Sequence, residues 1–218
     1  MTTFDKTLAR LIDHTVLSPG CTLGDVRRAC GEARTYRFAA VVVPPCFVPI
    51  AVSEMGGTGI PVCSVVAFPF GWEISTAKRE QAERLLRSGV DEIDMVMSVS
   101  QFLSGRREVV TEEVAAVAEV CRGNAILKLI IETACLGNGQ IAEAARLGAD
   151  SGADYIKTST GYASRGATVE DVRIIKQAVG DRCRIKASGG IRARDQALSL
   201  VNAGAARLGC SASLDLIL

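Results

Sequence analysis

Residues Ser75–Val96 read STAKREQAERLLRSGVDEIDMV, and this stretch decides the fold. Its first part, Ser75–Arg87, sets Ala77, Ala82, Leu85 and Leu86 against Lys78, Arg79, Glu83 and Arg84, the spacing of an amphipathic helix. Ser88-Gly89 follows, and a glycine there can take the left-handed conformation that ends a helix. Glu92–Val96 then alternates, which predicts a strand with Glu92, Asp94 and Val96 on one face. The punctuation recurs. Ser88-Gly89-Val90-Asp91, Ser151-Gly152-Ala153-Asp154 and Ala203-Gly204-Ala205-Ala206 each precede a strand-like run, at spacings of 63 and 52 residues.

Working outward, the strand-like runs are Leu11–His14, Phe38–Val43, Pro61–Ala67, Glu92–Val96, Ile126–Ile131, Tyr155–Lys157, Arg184–Ala187 and Arg207–Gly209. Helical spacing returns in Glu108–Arg122, Gln140–Leu147 and Val169–Val179. Strands alternating with helices of this length imply βαβ units and a parallel sheet. Eight runs in 218 residues leave about 27 per unit, near the smallest workable βα repeat. The expected fold is therefore α/β, a (β/α)8 TIM barrel formed as a single domain over residues 1–218. A doubly wound open sheet is the alternative. The dinucleotide turn G-x-G-x-x-G is absent, and Gly56-Gly57-Thr58-Gly59 precedes a strand, so it reads as a connector.

Composition narrows the chemistry. Apolar residues make up 48% and charged residues 22%, a globular composition. Lys+Arg is 25 against 24 for Asp+Glu, a net charge of +1, which makes no electrostatic case for nucleic acid or an anionic membrane. No apolar stretch approaches the ~18 residues of a membrane span, and Met1–Asp13 lacks a signal-type apolar region, so a cytoplasmic location is expected. A single histidine, His14, rules out His-rich metal centres within one chain, and no metal or cofactor is expected. The eight cysteines form no C-x-x-C pair and read as small buried hydrophobes in a reducing compartment. A cysteine nucleophile with His14 as its base is the reactive alternative; a satisfied structural histidine is the expectation for His14.

Two hexapeptides carry the chemistry. Ile156-Lys157-Thr158-Ser159-Thr160-Gly161 and Ile185-Lys186-Ala187-Ser188-Gly189-Gly190 both read Ile-Lys-x-Ser-x-Gly, with their lysines 29 residues apart. That is about one βα unit. It puts two lysines at the C-terminal ends of neighbouring strands, where barrel active sites sit. Burial and a second nearby ammonium both lower a lysine pKa, and a lysine poised near neutrality attacks carbonyls to form Schiff bases. The residues alone do not say which of the two is the nucleophile. Ser188-Gly189-Gly190 and Gly209-Cys210-Ser211 fall where barrels often bind phosphate, after strands seven and eight. Asp94 comes near the end of its strand and can pair with a lysine; Lys128 is a candidate partner inside the barrel. The residues thus point to a Schiff-base enzyme acting on a phosphorylated carbonyl compound.

Leu11–Thr15, Glu92–Val96, Leu127–Thr133, Ile156–Gly161, Lys186–Arg192 and Arg207–Ser211, in this order, resemble the deoxyribose-phosphate aldolase family. The likeness runs from residue 11 to about 214, and the two lysine motifs together are its specific part. It implies a metal-free class I aldolase interconverting 2-deoxy-D-ribose 5-phosphate with D-glyceraldehyde 3-phosphate and acetaldehyde, in deoxyribonucleoside and deoxyribonucleotide catabolism. By position it implies Lys157 as the Schiff-base lysine. Lys186 would be the second lysine that keeps Lys157 partly unprotonated, and Asp94 the acid–base residue working with Lys186 through water. Gly161, Gly189, Gly190, Gly209 and Ser211 would bind phosphate, and Thr15 would line the pocket. The implied partners are small phosphorylated sugars and aldehydes and further copies of the chain, as a dimer or tetramer. Cys210 and Ala212-Ser213 depart from the usual last phosphate loop. The sequence ends at Leu218 without the tyrosine-bearing tail of some relatives, so proton transfer is expected to rest on Asp94, Lys186 and water.

Overall fold

The computed structural model describes residues 4–218. Eight parallel strands close into a barrel in chain order. They are β1 (Ile12–Thr15), β2 (Ala40–Val42), β3 (Val62–Val66), β4 (Glu92–Val96), β5 (Ile126–Ile130), β6 (Tyr155–Lys157), β7 (Arg184–Ser188) and β8 (Arg207–Cys210). Around them run α1 (Lys6–Ala9), α2 (Leu23–Tyr36), α3 (Val48–Met55), α4 (Ser75–Arg87), α5 (Val99–Leu103), α6 (Arg107–Cys121), α7 (Asn138–Asp150), α8 (Val169–Val179), α9 (Arg194–Asn202) and α10 (Ser213–Ile217). The fold is the (β/α)8 barrel expected from the alternation, and the open-sheet alternative fails because β8 pairs with β1.

Period two along each strand sorts the residues into two layers. Ile93, Met95, Leu127, Leu129, Ile156 and Ile185 face outward into the apolar core under the helices. Asp94, Lys128, Lys157 and Lys186 alternate with them and face the barrel axis. The helix layer presses closely on the strands. A Cβ on Gly148 of α7 would lie 2.6 Å from the Leu129 terminal methyl and 2.8 Å from that of Ile156, so any larger residue there must push these side chains aside. The repeated caps also behave as read: Gly89, Gly152 and Gly204 have φ of +91°, +98° and +118°. The aspartates of the repeat add a function. Asp91 accepts a hydrogen bond from the Val62 amide, and Asp154 from the Leu127 amide, both at 2.8 Å, so each pins the start of the preceding strand. The third copy has Ala206 there and lacks the tie.

Two expectations change. Lys78, placed by its spacing on the polar face of α4, is wholly buried. Its face is Lys78, Ala82 and Leu85, which packs on α6. Lys78 Nζ donates to Glu113 at 2.8 Å and to the Val96 carbonyl at 3.0 Å, while Glu113 accepts from the Ser98 amide at 2.6 Å. A helical-wheel reading places a charge in water because it cannot see an opposite charge arriving from a helix 35 residues away. The cysteines also divide. Cys30, Cys63, Cys121, Cys183 and Cys210 are buried, but Cys46 and Cys135 are exposed and Cys21 is half-buried. Cys21 lies on a loop and Cys46 and Cys135 in short 3-10 turns after β2 and β5, where no core covers them. Among the described residues, no helix is long and apolar enough to cross a membrane.

Candidate active site

The hexapeptides meet as their spacing implied. Lys157 and Lys186 are register partners across β6 and β7. Both ammonium nitrogens lie 2.7 Å from one oxygen, Asp94 Oδ2, which reaches them from β4 across the barrel. The contact between Lys186 and Asp94 is direct, where a water-mediated one was expected. Lys128, register partner of Asp94, donates to its other oxygen at 2.9 Å. The ion pair suggested by the sequence is therefore present.

Below this level the charges continue. Asp13 of β1 approaches Lys186 Nζ at 2.5 Å and accepts from Arg207 at 2.7 Å. Glu92 joins both ends of this network, accepting from Arg207 at 2.8 Å and ion-paired with Lys128 at 2.6 Å. Asp13 was missed by sequence reading. The signal was available, because alternation in β1 puts Asp13 on the same inward face as Thr15.

Counting charges identifies the odd member. Lys128, Lys157, Lys186 and Arg207 supply four cations, and Asp13, Glu92 and Asp94 three carboxylates. Lys128 lies within 4.0 Å of all three carboxylates, and Lys186 and Arg207 each touch two. Lys157 touches only Asp94, and shares that oxygen with Lys186. An unbalanced buried charge is the costly one, so Lys157 is the cation most disfavoured of the four. The individual shifts agree. Burial pushes Lys157 below the ordinary lysine value; Asp94 opposes this and Lys186 adds to it. Burial would lower Lys186 as well, but Asp13 and Asp94 outweigh it and raise the group. The two lysines, alike in their motifs, are thus pushed in opposite directions. Burial alone would raise Asp94, yet Lys128, Lys157 and Lys186 hold it well below the usual carboxylate range.

Above Lys157 a cavity of about 290 Å³ opens at the C-terminal end of the barrel. Thr15, Lys157, Gly161, Gly189, Gly190, Gly209 and Ser211 line it, which gathers the residues proposed from the motifs. Lys186 and Asp94 do not line it; both are wholly buried beneath. Ser188, of the loop read from sequence, lines it too, and Leu17, Thr160, Tyr162 and Arg192 join them without having been assigned from sequence. Tyr162 directly follows Gly161, and Arg192 closes a motif already noted, so adjacency to the glycines was the available signal.

The floor of the cavity is built by close backbone packing. Thr158 and Ser188 tie the two hexapeptides, with the Ser188 amide donating to Thr158 Oγ1 at 3.0 Å and Ser188 Oγ to the Ser159 carbonyl at 2.6 Å. Gly161 and Gly189 have φ of +91° and +86°. A Cβ on Gly166 would lie 1.9 Å from the Gly189 carbonyl oxygen. Gly166→Ala should therefore displace the Gly189 turn. We expect a several-fold rise in KM for a phosphorylated substrate and a stability loss of about 1–3 kcal/mol, read by steady-state kinetics and thermal melting. An unchanged KM would show that the turn does not contact the phosphate.

Glu132 fixes the other rim. Its backbone is left-handed, with φ of +52°, and its carboxylate accepts from the Thr160 amide at 3.1 Å and from the Thr160 hydroxyl. Tyr162 Oη reaches over to the Leu17 carbonyl at 2.8 Å. His14 faces outward from β1, bonded to Glu32 and Ser213 and to no cysteine, so it is a satisfied structural histidine. Among the described residues no cluster of three His, Cys, Asp or Glu side chains is placed to hold a metal ion.

Comparison with known proteins follows the geometry. The family model of the DeoC/LacD family aldolases matches residues 7–214. A deoxyribose-phosphate aldolase of Treponema denticola is 41% identical over 211 residues, covering 96% of this chain and 98% of the relative. One from Acholeplasma laidlawii is 46% identical over 206 residues, covering 94% and 92%. The structure of the tetrameric deoxyribose phosphate aldolase from Aeropyrum pernix superposes with a TM-score of 0.90 at 31% identity, covering 97% of this chain and 89% of that one.

Proposed function

The chain belongs to the DeoC/LacD family of aldolases, and from that premise we propose that it is a class I deoxyribose-phosphate aldolase whose Schiff base forms on Lys157. It cleaves 2-deoxy-D-ribose 5-phosphate to D-glyceraldehyde 3-phosphate and acetaldehyde, reversibly, as a step in deoxyribonucleotide breakdown. The observation that carries this reading is the charge count of the barrel interior. Four cations of the barrel interior face three carboxylates, and the lysine left over is the one that lines the cavity.

The chemistry follows from the atoms in place. The neutral Lys157 amine attacks the C1 carbonyl of the open-chain sugar, and water leaves to give an iminium. Proton loss from the C3 hydroxyl lets the C2–C3 bond break, which frees glyceraldehyde 3-phosphate and leaves an enamine on Lys157. Protonation of the enamine carbon and addition of water release acetaldehyde and the free amine. Lys186, held protonated by Asp13 and Asp94, is the nearby proton source. The Asp94 oxygen that touches both lysines is the path for a proton between them. The glycine loops and Ser211 offer backbone amides and a hydroxyl to the phosphate, with Thr15 beside the sugar.

Borohydride reduction in the presence of acetaldehyde should leave an N-ethyl group on Lys157, located by peptide mass spectrometry. An adduct on Lys186 alone, or none, would overturn the assignment. A different Schiff-base aldolase would leave 2-deoxyribose 5-phosphate uncut. A non-catalytic sugar-phosphate binder would be stabilised by that sugar without turning it over, even as Lys157→Ala. We also propose that the chain works as a homo-oligomer. The exposed Phe70, Trp72 and Ile74 beside β3 support this, since three large apolar side chains lie together in water.

A further inference from the structure

Glu32, His14 and Ser213 form a chain of contacts that the reaction does not use. His14 lies on the outer face of β1, packed on Phe38 with ring centroids 5.0 Å apart. Its Nε2 is 2.7 Å from Glu32 Oε2 on α2. Its Nδ1 is 2.8 Å from Ser213 Oγ, contributed 199 residues later at the start of α10. Ser213 Oγ is also 3.0 Å from the Cys210 carbonyl at the end of β8. The hydroxyl thus closes the turn that contains Ser211 and fastens it to β1. Ser211 faces both ways, since it lines the catalytic cavity and a second outer cavity of about 270 Å³ bordered by His14, Glu32 and Ser213.

We propose that Glu32, His14 and Ser213 are positioning residues that hold the Ser211 turn in place for the substrate's phosphate. They set the affinity for phosphorylated substrate and leave the bond-breaking step alone. The proposal rests on the reading that this rim receives the phosphate.

Proton counting gives the relay a second property. Burial pushes the His14 imidazole below its ordinary value, with Glu32 opposing. In the neutral ring Nε2–H donates to Glu32, and Nδ1 takes the only proton of the Ser213 hydroxyl. The Cys210 carbonyl is then left without it. In the protonated ring Nδ1–H donates to Ser213 Oγ, whose proton turns to Cys210, and every contact is satisfied. The charged and titratable groups around the ring are Asp25, Arg28 and Glu32 from α2 and Asp215 from α10. The turn is therefore held more tightly as pH falls through the His14 transition.

The test compares the wild type with Ser213→Ala, Ser213→Thr and His14→Gln. KM and kcat are measured on 2-deoxyribose 5-phosphate and on unphosphorylated 2-deoxyribose. The melting shift caused by inorganic phosphate is measured alongside. Losing one neutral hydrogen bond should raise KM for the phosphorylated sugar about fivefold, with kcat within about twofold. The unphosphorylated sugar should be handled as before, the phosphate shift should shrink, and threonine should restore both. His14→Gln should flatten the pH dependence of KM. Equal losses on both sugars, or an unchanged KM and phosphate shift, would overturn the proposal, as would a wild type that phosphate does not stabilise. If the wild type cuts neither sugar yet the phosphate shift depends on Ser213, the relay stands and the substrate assignment fails.

Discussion

Lys157→Met is expected to lower kcat/KM on 2-deoxyribose 5-phosphate by at least about four orders of magnitude, because no other amine lines the cavity to form the covalent intermediate. The same change should not destabilise the protein, an unusual outcome for a buried position. Lys157 is the fourth cation against three carboxylates, so methionine leaves a balanced interior of similar volume. The pH dependence separates this account from a simple packing effect. Folding depresses the Lys157 pKa below 10.5. Between the folded value and 10.5 the unfolded chain binds more protons at this residue, so the contribution to stability rises with pH across that window. Below the folded value the penalty is constant. Chemical denaturation at several pH values should show a shallower rise for the variant than for the wild type, by one group's worth. Parallel curves would mean that Lys157 is not the depressed lysine.

Asp94→Asn is expected to be damaging in both respects. Asp94 contacts Lys128, Lys157 and Lys186, so its loss, with Lys157 neutral, sets three cations against two carboxylates. Breaking a buried ion network in this way should cost about 3–5 kcal/mol, a fall of roughly 6–20 °C in Tm for a chain of this size. Activity should drop by about 10²–10⁴-fold, the range for removing a proton-transfer group. The sign with pH follows from its lowered pKa. Its stabilisation is full above the unfolded value of 3.8 and is lost as pH falls through the folded value, so the variant's acid limb should be shallower. The double variant Asp94→Asn with Lys128→Met divides the two roles. With Lys157 neutral, it leaves Lys186 and Arg207 facing Asp13 and Glu92, a balanced set. Stability should largely return while activity stays low. Activity returning along with stability would show that Asp94 only holds charges apart.

Cys63 extends the same network. Burial, with Asp94 beside it, pushes its thiol up to about 12, so it stays protonated and points at Asp94 Oδ1 from 3.4 Å. It thus behaves as the neutral buried group that the cysteine pattern suggested, although its contacts are polar. Cys46, on an exposed turn, does not.

Much of this protein was legible in its residues because the deciding signals are local. The alternation of strand and helix, the glycines that end α4 and α7, and the two Ile-Lys-x-Ser-x-Gly repeats all lie within single βα units. Period two alone aimed Asp94 and the lysines inward. The resemblance to a known family then ranked the lysines. What remained was decided by sums over strands far apart in the chain. Which lysine is neutral depends on Asp13, Glu92, Asp94 and Arg207 together, drawn from β1, β4 and β8. Burial and a neighbouring ammonium act on both lysines, but a buried charge responds to all its neighbours at once, and Lys186 has two carboxylates where Lys157 has a share of one. Lys78 reads as a surface charge until Glu113 is brought against it from α6. Ser213 reads only as a departure in the last loop until barrel closure sets it on His14. Local sequence determines which way a side chain points; only the closed barrel determines what it meets there.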